Sequence, residues 1–302
     1  MGKVYNGIMG LIVGDALGVP FEFTMRDTFK ATDMVGFGTH GQPAGTWSDD
    51  TSLTLATLES IGRLGKVDLN DIMYNFALWL FNGDFTANGY VFDVGFTTKK
   101  AIQKYIINQT PPESCGGSSE MDNGNGSLMR ILPLAFMNYS MQEVYNVSAL
   151  THAHDISQVA CGIYCNIASY LNKGLTKHQA VAWALSKSGG VPAQFERIEV
   201  INTAPVNRDE IKSTGYVIDT LEAALWCFLN TGNYKDCVLT AVNLGGDTDT
   251  VAAVAGGLAG IYYGIGGESG IPEEWVNKIA RNFYIKELCD DFERTIVKGA
   301  PK

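Results

Sequence analysis

Basic residues are scarce in this chain of 302 residues, in which 22 Lys and Arg stand against 32 Asp and Glu. The formal net charge is −10, and the longest basic run is the pair Lys99-Lys100. A protein that binds nucleic acid needs clustered Lys and Arg to neutralise phosphates. The composition therefore argues against a nucleic-acid partner. A small pocket can still bind an anion through metal ions and backbone N–H groups.

Metal-binding cysteine pairs and long membrane-spanning runs are lacking as well. The six cysteines form no Cys-x-x-Cys pair and no zinc-ribbon spacing, so they are predicted to be buried free thiols in a reducing compartment. Asp15 interrupts the apolar run 8–13, no small-residue cleavage site follows it, and the run 251–265 is short and rich in Gly and Ala. We therefore predict a cytoplasmic protein without a membrane partner.

Alternating strand patterns are also rare, whereas apolar residues at helical spacing recur along almost the whole chain. The only strand candidate is 195–201, which could equally be a loop, and no repeat of 20–50 residues is present. Long loops are expected at 19–47, 109–125 and 188–215. The predicted helices span about 4–18, 49–64, 69–82, 93–108, 126–138, 140–151, 156–172, 176–187, 216–230, 234–244, 248–264, 272–282 and 285–298.

Two short acidic motifs look like halves of one metal site. They are Trp-Ser-Asp-Asp-Thr at 47–51 and Gly-Gly-Asp-Thr-Asp-Thr at 245–250, each just before a predicted helix. A helix N-terminus needs one capping side chain and tolerates one or two acids, so either motif alone could be an ordinary cap. Together they offer more hard oxygen ligands than caps require, and Mg²⁺ and Mn²⁺ prefer such ligands.

Two further acidic positions have both a functional and a structural interpretation. The segment 14–22 could end a helix at Gly18, yet Asp15 lies inside an apolar helix and Glu22 begins a long loop. Asp93 follows Phe92 and, by itself, is best interpreted as the N-cap of the helix that runs to Asn108.

A glycine loop and a histidine pair complete the candidate segments. The stretch 122–130 could be a simple turn, but its glycines would also let backbone N–H groups and a following helix N-terminus approach a phosphate. The histidines of Thr-His-Ala-His-Asp at 151–155 are less typical of zinc ligands than of substrate contacts or a helix cap.

Taken in order, these segments resemble the ADP-ribosylglycohydrolase family, which includes the dinitrogenase reductase-activating glycohydrolases. The resemblance rests on Gly-Asp-Ala-Leu-Gly-x-Pro-x-Glu at 14–22, Ser-Asp-Asp-Thr at 48–51 and Gly-Asn-Gly-Ser-x-Met-Arg at 124–130, then Thr-His at 151–152 and the motif 245–250. It runs from Gly7 to about Tyr263. It implies an all-α fold, a compact orthogonal multi-helix bundle with a binuclear Mg²⁺ or Mn²⁺ cleft, and we expect one domain over residues 1–302.

The resemblance also implies roles for individual residues. Glu22 corresponds to a mobile acidic residue that approaches the second metal, and Asp93 to the catalytic base proposed for the arginine-directed bacterial branch. The implied metal ligands, of which Asp50 also counts as catalytic, are Ser48, Asp49, Asp50, Asp247, Asp249 and Thr250. The implied substrate-binding residues, with the tyrosine at the pocket mouth, are Asn123, Gly124, Asn125, Gly126, Ser127, His152 and Tyr216.

The implied chemistry is cleavage of a bond at the anomeric carbon of a ribose. That reaction passes through an oxocarbenium-like state, and two divalent ions about 3.5–4 Å apart can orient the sugar and acidify a water molecule. We therefore predict a metal-dependent hydrolase, expected to be monomeric, that releases ADP-ribose from a modified protein, with the arginine linkage favoured. Alternatives are serine-linked ADP-ribose, O-acetyl-ADP-ribose, and a non-catalytic ADP-ribose-binding protein, although the complete acidic motifs argue against the last.

Overall fold

The computed structural model describes residues 2–187 and 192–297, which form helices, connecting loops and a few isolated β-bridges, with no strand in these ranges. The α-helices are α1 (Lys3–Gly18), α2 (Asp49–Leu64), α3 (Leu69–Asn82), α4 (Phe96–Asn108), α5 (Met141–Ala149), α6 (Asp155–Asn172), α7 (Lys177–Lys187), α8 (Glu196–Thr203), α9 (Val217–Leu229), α10 (Tyr234–Val242), α11 (Thr248–Tyr263), α12 (Glu273–Lys278) and α13 (Asn282–Phe292). Short 3₁₀ helices span Val19–Phe21, Gly38–His40, Pro112–Ser114, Glu120–Asp122, Asn125–Arg130, Leu132–Phe136, Ala193–Phe195 and Arg208–Glu210, and a π-helical turn covers Glu293–Val297.

The all-α prediction is confirmed, but two element predictions are wrong. The helix expected at 126–138 is two 3₁₀ helices, because Pro133 lacks the N–H that an α-helix interior requires and would clash with the preceding turn. The strand candidate 195–201 is not a strand: Phe195 ends a 3₁₀ helix, and residues 196–201 belong to α8. Its buried residues Phe195, Ile198 and Ile201 are three apart, which is a helical spacing and not a strand alternation.

Several predicted boundaries also shift. The helix expected at 93–108 begins at Phe96, and the one expected at 272–282 is the shorter α12. The expected loop 188–215 contains α8, and its first residues, 188–191, lie outside the described part of the chain. Residue 298, the end of the last predicted helix, also lies outside it. All six cysteines are buried free thiols, as predicted.

The core is organised around α1 and α11, which form the most extensive helix pair in the structure. Their backbones approach so closely that a Cβ built on Gly14 would lie 2.1 Å from the carbonyl oxygen of Ala252. A Cβ on Gly10 would lie 2.3 Å from the oxygen of Gly256. Glycine is therefore required along this seam, and the close approach places the end of α1 beside the start of α11, where the Thr248 hydroxyl donates to the Gly18 carbonyl at 2.8 Å.

Lys3–Phe21 has the length and hydropathy of a membrane-crossing helix, but 89% of its most apolar window is buried inside the fold. That burial is typical of a core helix, because every face of α1 already contacts protein.

Gly14→Ala should lower the free energy of unfolding by about 1–3 kcal/mol, because the new methyl group would overlap backbone atoms that cannot move aside. Gly232→Ala is the matched control, since a Cβ there meets nothing within 4 Å. Urea unfolding measures both variants. Equal midpoints for the two would contradict the close approach of α1 and α11.

Candidate metal centre and cavity

The first acidic motif forms the N-terminus of α2. Ser48 is the N-cap, and its Oγ accepts a hydrogen bond from the Asp50 N–H at 3.3 Å. Asp49 and Asp50 occupy the first turn, where the helix dipole favours negative charge. All three residues are buried, so the two carboxylates are hidden from water in a way that an ordinary surface cap is not.

Asp15 of α1 holds this motif in place through hydrogen bonds. Its carboxylate accepts hydrogen bonds from the Ser48 N–H at 3.0 Å, the Thr51 N–H at 3.1 Å and the Thr51 hydroxyl at 2.6 Å. Burial raises the pKa of Asp15 to about 6, although these hydrogen bonds oppose the rise. Sequence reasoning noticed this acid inside an apolar helix but did not place it in the site.

The second acidic motif begins α11 and reaches the same place. Gly245 and Gly246 have φ values of +72° and +74°, and the turn they form delivers Asp247 and Asp249 to the helix start. The Asn125 side-chain amide donates to Asp247 Oδ2 at 2.8 Å. The two motifs meet where the Thr250 hydroxyl lies 3.4 Å from Asp50 Oδ1.

The convergent carboxylates could hold metal ions. Asp15, Asp50 and Asp249 each offer an oxygen within 4.8 Å of the others, and Glu22, Asp247 and Asp249 form a second such group. Three buried oxygens, Asp50 Oδ2, Asp247 Oδ1 and Asp249 Oδ2, have no hydrogen-bond partner in the described structure. Orphaned buried carboxylate oxygens are costly, and a hard divalent cation such as Mg²⁺ or Mn²⁺ would satisfy them.

The pKa values and the ion pairing of these carboxylates also favour a bound cation. Burial, followed by the charges of neighbouring carboxylates, raises the pKa of Asp49, Asp50 and Asp249 well above the usual range. Within residues 2–187 and 192–297, no Lys or Arg forms an ion pair with these side chains. The acidic group therefore lacks a protein counter-charge in that part of the chain.

Glu22, Asp93 and His40 form a second polar cluster at the edge of the acidic group. Glu22 Oε2 is in direct contact with His40 Nε2, and burial, then the charges of Asp93 and Asp247, raise the pKa of Glu22 to about 9. Asp93 is not a helix cap, because Gly95 is the N-cap of α4. Asp93 instead adopts φ +53°, a left-handed conformation that non-glycine residues rarely hold without a reason.

A cavity of about 240 Å³ opens above the carboxylates. Phe96, Thr97 and Thr98, at the start of α4, are among the residues that line it. The predicted site residues that line it are Glu22, Asp49, Asp93, Gly124, Asn125, Gly126, His152, Asp247 and Thr250. A larger cavity of about 630 Å³ near α5 and α6 has no Asp or Glu among its described lining residues, so its size alone does not make it the site.

Several predicted residues lie near this cavity without lining it. Ser48, Asp50 and Asp249 are buried and are not among its lining residues. The Asn123 side chain bonds Ser157 and the Glu120 carbonyl, and the Ser127 hydroxyl accepts from Ser148 and Cys161.

Tyr216 occupies the N-cap position of α9, and this residue is 38% exposed. It pairs with Gly124 through a β-bridge, which brings the tyrosine to the glycine loop.

The glycine loop is a 3₁₀ helix and not the start of an α-helix, so the expectation that an α-helix N-terminus follows the glycines is wrong. Gly126 is needed for packing: a Cβ there would lie 2.8 Å from His152 Cε1 and 3.0 Å from Thr98 Oγ1. His40 was missed by sequence reasoning, because a single histidine in a long loop carries no pattern.

The fold and the acidic cavity define an all-α protein with a candidate metal centre. The family model for ADP-ribosylglycohydrolase matches residues 1–301, and the chain belongs to that family. The ADP-ribosylarginine hydrolase Tri1 of Serratia proteamaculans is 35% identical over 294 residues, covering 95% of this chain and 78% of that protein. The ADP-ribosyl-[dinitrogen reductase] glycohydrolase of Rhodospirillum rubrum is 31% identical over 293 residues, covering 92% and 90%. A solved ADP-ribosylglycohydrolase-related protein complex is similar with a TM-score of 0.82 and 31% identity, covering 97% of each chain.

Asp249→Asn should abolish most of the stabilisation that divalent metal gives. A ligand that binds only the folded state at 100 times its Kd stabilises by about 2.7 kcal/mol, and we expect that gain for the wild type with Mn²⁺. In chelator the variant should be more stable than the wild type, because Asn replaces a carboxyl group whose charged form is disfavoured by burial and by the neighbouring carboxylates. Thermal unfolding with Mn²⁺ and with chelator measures both effects.

The matched control is Asp155→Asn, which alters an exposed aspartate in the first turn of α6. This variant should respond to Mn²⁺ as the wild type does. An unchanged metal response in Asp249→Asn would contradict the assignment of the acidic group as a metal centre.

Proposed function

We propose that this protein is a metal-dependent glycohydrolase that releases ADP-ribose from ADP-ribosylated arginine in a modified protein. The single observation that carries the proposal is the set of orphaned buried carboxylate oxygens of Asp50, Asp247 and Asp249 at the base of the cavity. Family membership and the named activities of the similar proteins support the reaction class.

The proposed metal ligands are Ser48, Asp49, Asp50, Asp247, Asp249 and Thr250, with Asp50 at the junction of the two motifs. Divalent ions at such ligands supply Lewis-acid chemistry, which orients sugar hydroxyls and lowers the pKa of water. Asp15 would keep the α2 ligands in place through its hydrogen bonds to Ser48 and Thr51. Asn125 would do the same for Asp247.

Proton transfer is assigned to the Glu22, Asp93 and His40 cluster. Asp93 lines the cavity at its acidic edge and, as a carboxylate, can accept a proton from the attacking water. Glu22 is the rival base: burial and the charges of Asp93 and Asp247 raise its pKa, and burial raises the pKa of Asp93 as well, so substitution of each residue has to separate the two roles. His40 would hold the Glu22 side chain through their direct contact.

The other end of the substrate would occupy the glycine-loop side of the cavity. Gly126 packs closely against His152 and Thr98 there, so the start of α4, which has no side-chain cap, lies next to the glycine loop. A helix N-terminus favours an anion, so this side suits a diphosphate. Tyr216, which is partly exposed and forms a β-bridge with Gly124, offers a ring for stacking.

The arginine linkage is favoured by aromatic rings beside the carboxylates. The Phe23 side chain is 70% exposed, with φ +61°, and its ring centroid lies 6.3 Å from that of His40. The Phe92 ring centroid lies 5.1 Å from that of His40. A planar guanidinium stacks on aromatic faces and pairs with carboxylates, whereas a serine or acetyl group uses neither feature.

An activity panel tests the proposal. The purified protein is assayed on ADP-ribosylarginine, ADP-ribosylserine and O-acetyl-ADP-ribose, each with Mg²⁺, with Mn²⁺ and with chelator. We expect metal-dependent release of ADP-ribose with the highest kcat/KM on the arginine substrate. Full activity in chelator would refute the metal mechanism, and a preference for the serine or acetyl substrate would refute the arginine assignment.

Asp93→Asn separates the two candidate bases. It should reduce turnover about 10²–10⁴-fold with little change in metal or ADP-ribose affinity, because the amide cannot accept the proton. Asparagine tolerates a left-handed φ as well as aspartate does, so the backbone should be retained. Glu22→Gln is assayed beside it on the arginine substrate. If Asp93→Asn keeps wild-type turnover while Glu22→Gln is inactive, the base is Glu22.

A further inference from the structure

Arg130 is a buried cation for which the reaction outlined above has no role. Its side chain is fully buried, and it forms no ion pair with any carboxylate in the described ranges. The guanidinium lies 4.7 Å from the centroid of the Phe76 ring and donates to the Val147 carbonyl at 3.1 Å. Burial lowers the pKa of Arg130 to about 10, so it stays charged at neutral pH. A buried charge without a counter-ion is costly and calls for an explanation.

The second hydrogen bond of Arg130 leads towards the cavity. One of its terminal nitrogens donates to Thr151 Oγ1 at 2.7 Å, and the same oxygen lies 2.7 Å from His152 Nδ1. Thr151 is fully buried, and its hydroxyl has no other acceptor in the part of the chain that the structure describes. A hydroxyl carries one proton, which must therefore point at Nδ1, since a buried unpaired donor is costly.

This arrangement fixes the protonation of the His152 ring. If Nδ1 accepts from Thr151, the single proton of a neutral imidazole is on Nε2. Burial, and then the charge of Arg130, lower the pKa of His152 to about 3, so the ring is neutral at neutral pH. His152 lines the cavity, and a Cβ built on Gly124 would lie 3.4 Å from Nε2. The described structure gives Nε2 no hydrogen-bond partner of its own.

We propose that Arg130 and Thr151 are positioning residues that hold His152 as its Nε2–H tautomer and so offer that N–H to an anionic oxygen of the ligand. The chain of donors runs from Arg130 to Thr151, from Thr151 to His152, and from His152 into the cavity. The buried guanidinium places a positive charge behind the ring, where a diphosphate would complement it. The identity of the ligand rests on the proposed function, whereas the tautomer does not.

The ligand-free protein gives the first test. Long-range ¹H–¹⁵N correlation spectra of protein labelled at histidine nitrogens report which ring nitrogen carries the proton, and the spectrum of His152→Gln assigns the signals. We expect an unprotonated Nδ1 and a protonated Nε2. A proton on Nδ1, or on both nitrogens, at neutral pH would overturn the proposal.

Adding ADP-ribose tests the role in binding. The Nε2 resonance should move more than the Nδ1 resonance. Calorimetric binding of ADP-ribose without a change at Nε2 would overturn the role of His152 as donor. Failure of ADP-ribose to bind at all would instead count against the proposed function, while the ligand-free spectrum still decides the tautomer.

Two substitutions at Thr151 separate positioning from packing. Thr151→Val keeps the shape and removes the hydroxyl, so it should lose the Nε2–H preference and weaken ADP-ribose binding about 10- to 100-fold, the size of a hydrogen bond to a charged group. Thr151→Ser keeps the hydroxyl and should bind like the wild type with the same tautomer. The opposite order would show that the methyl group matters by packing, and would overturn the proposal.

Discussion

The burial of several carboxylates side by side is the constraint on which the rest of the structure depends. Asp49, Asp50 and Asp249 are buried together, and no basic side chain of the described residues forms an ion pair with them. Such a group cannot be stable as bare carboxylates, which is why their pKa values rise so far. Protons or divalent cations must neutralise it. The charge of the cavity floor, and of the polar cluster at its edge, depends on whether protons or divalent cations are bound there.

The packing of α1 against α11 allows the group to form. Glycines along the seam bring the two backbones into contact, so that Asp15 near the end of α1 lies beside the start of α11 and beneath the start of α2. From there its carboxylate holds the backbone of Ser48 and Thr51. A single acid in a buried helix thus lies close to both motifs, and the convergence of the two acidic helix N-termini depends on the close packing of α1 against α11.

Much of this could be predicted from the sequence, for identifiable reasons. Helical periodicity gave the all-α class, and the two acidic motifs exceeded what helix caps need. Two local patterns were misinterpreted. Pro133, which lacks the N–H that an α-helix interior requires, converts an expected α-helix into 3₁₀ turns, and Phe195, Ile198 and Ile201 form a helix face where a strand or a loop was expected. His40 contacts Glu22 because the loop between them folds back on itself, which no local sequence pattern shows. The hydroxyl link from Arg130 to His152 depends on a buried geometry that no spacing reveals.

The central claim is that the acidic group is a centre for two divalent ions. Electron paramagnetic resonance of the protein titrated with Mn²⁺ tests it most directly, because two Mn²⁺ ions about 3.5–4 Å apart, the spacing typical of two-metal sites, couple magnetically. The account predicts a coupled two-manganese spectrum at saturation that is lost when Asp50 and Asp249 are both replaced by Asn. A spectrum of isolated Mn²⁺ only, or no bound Mn²⁺, would contradict it.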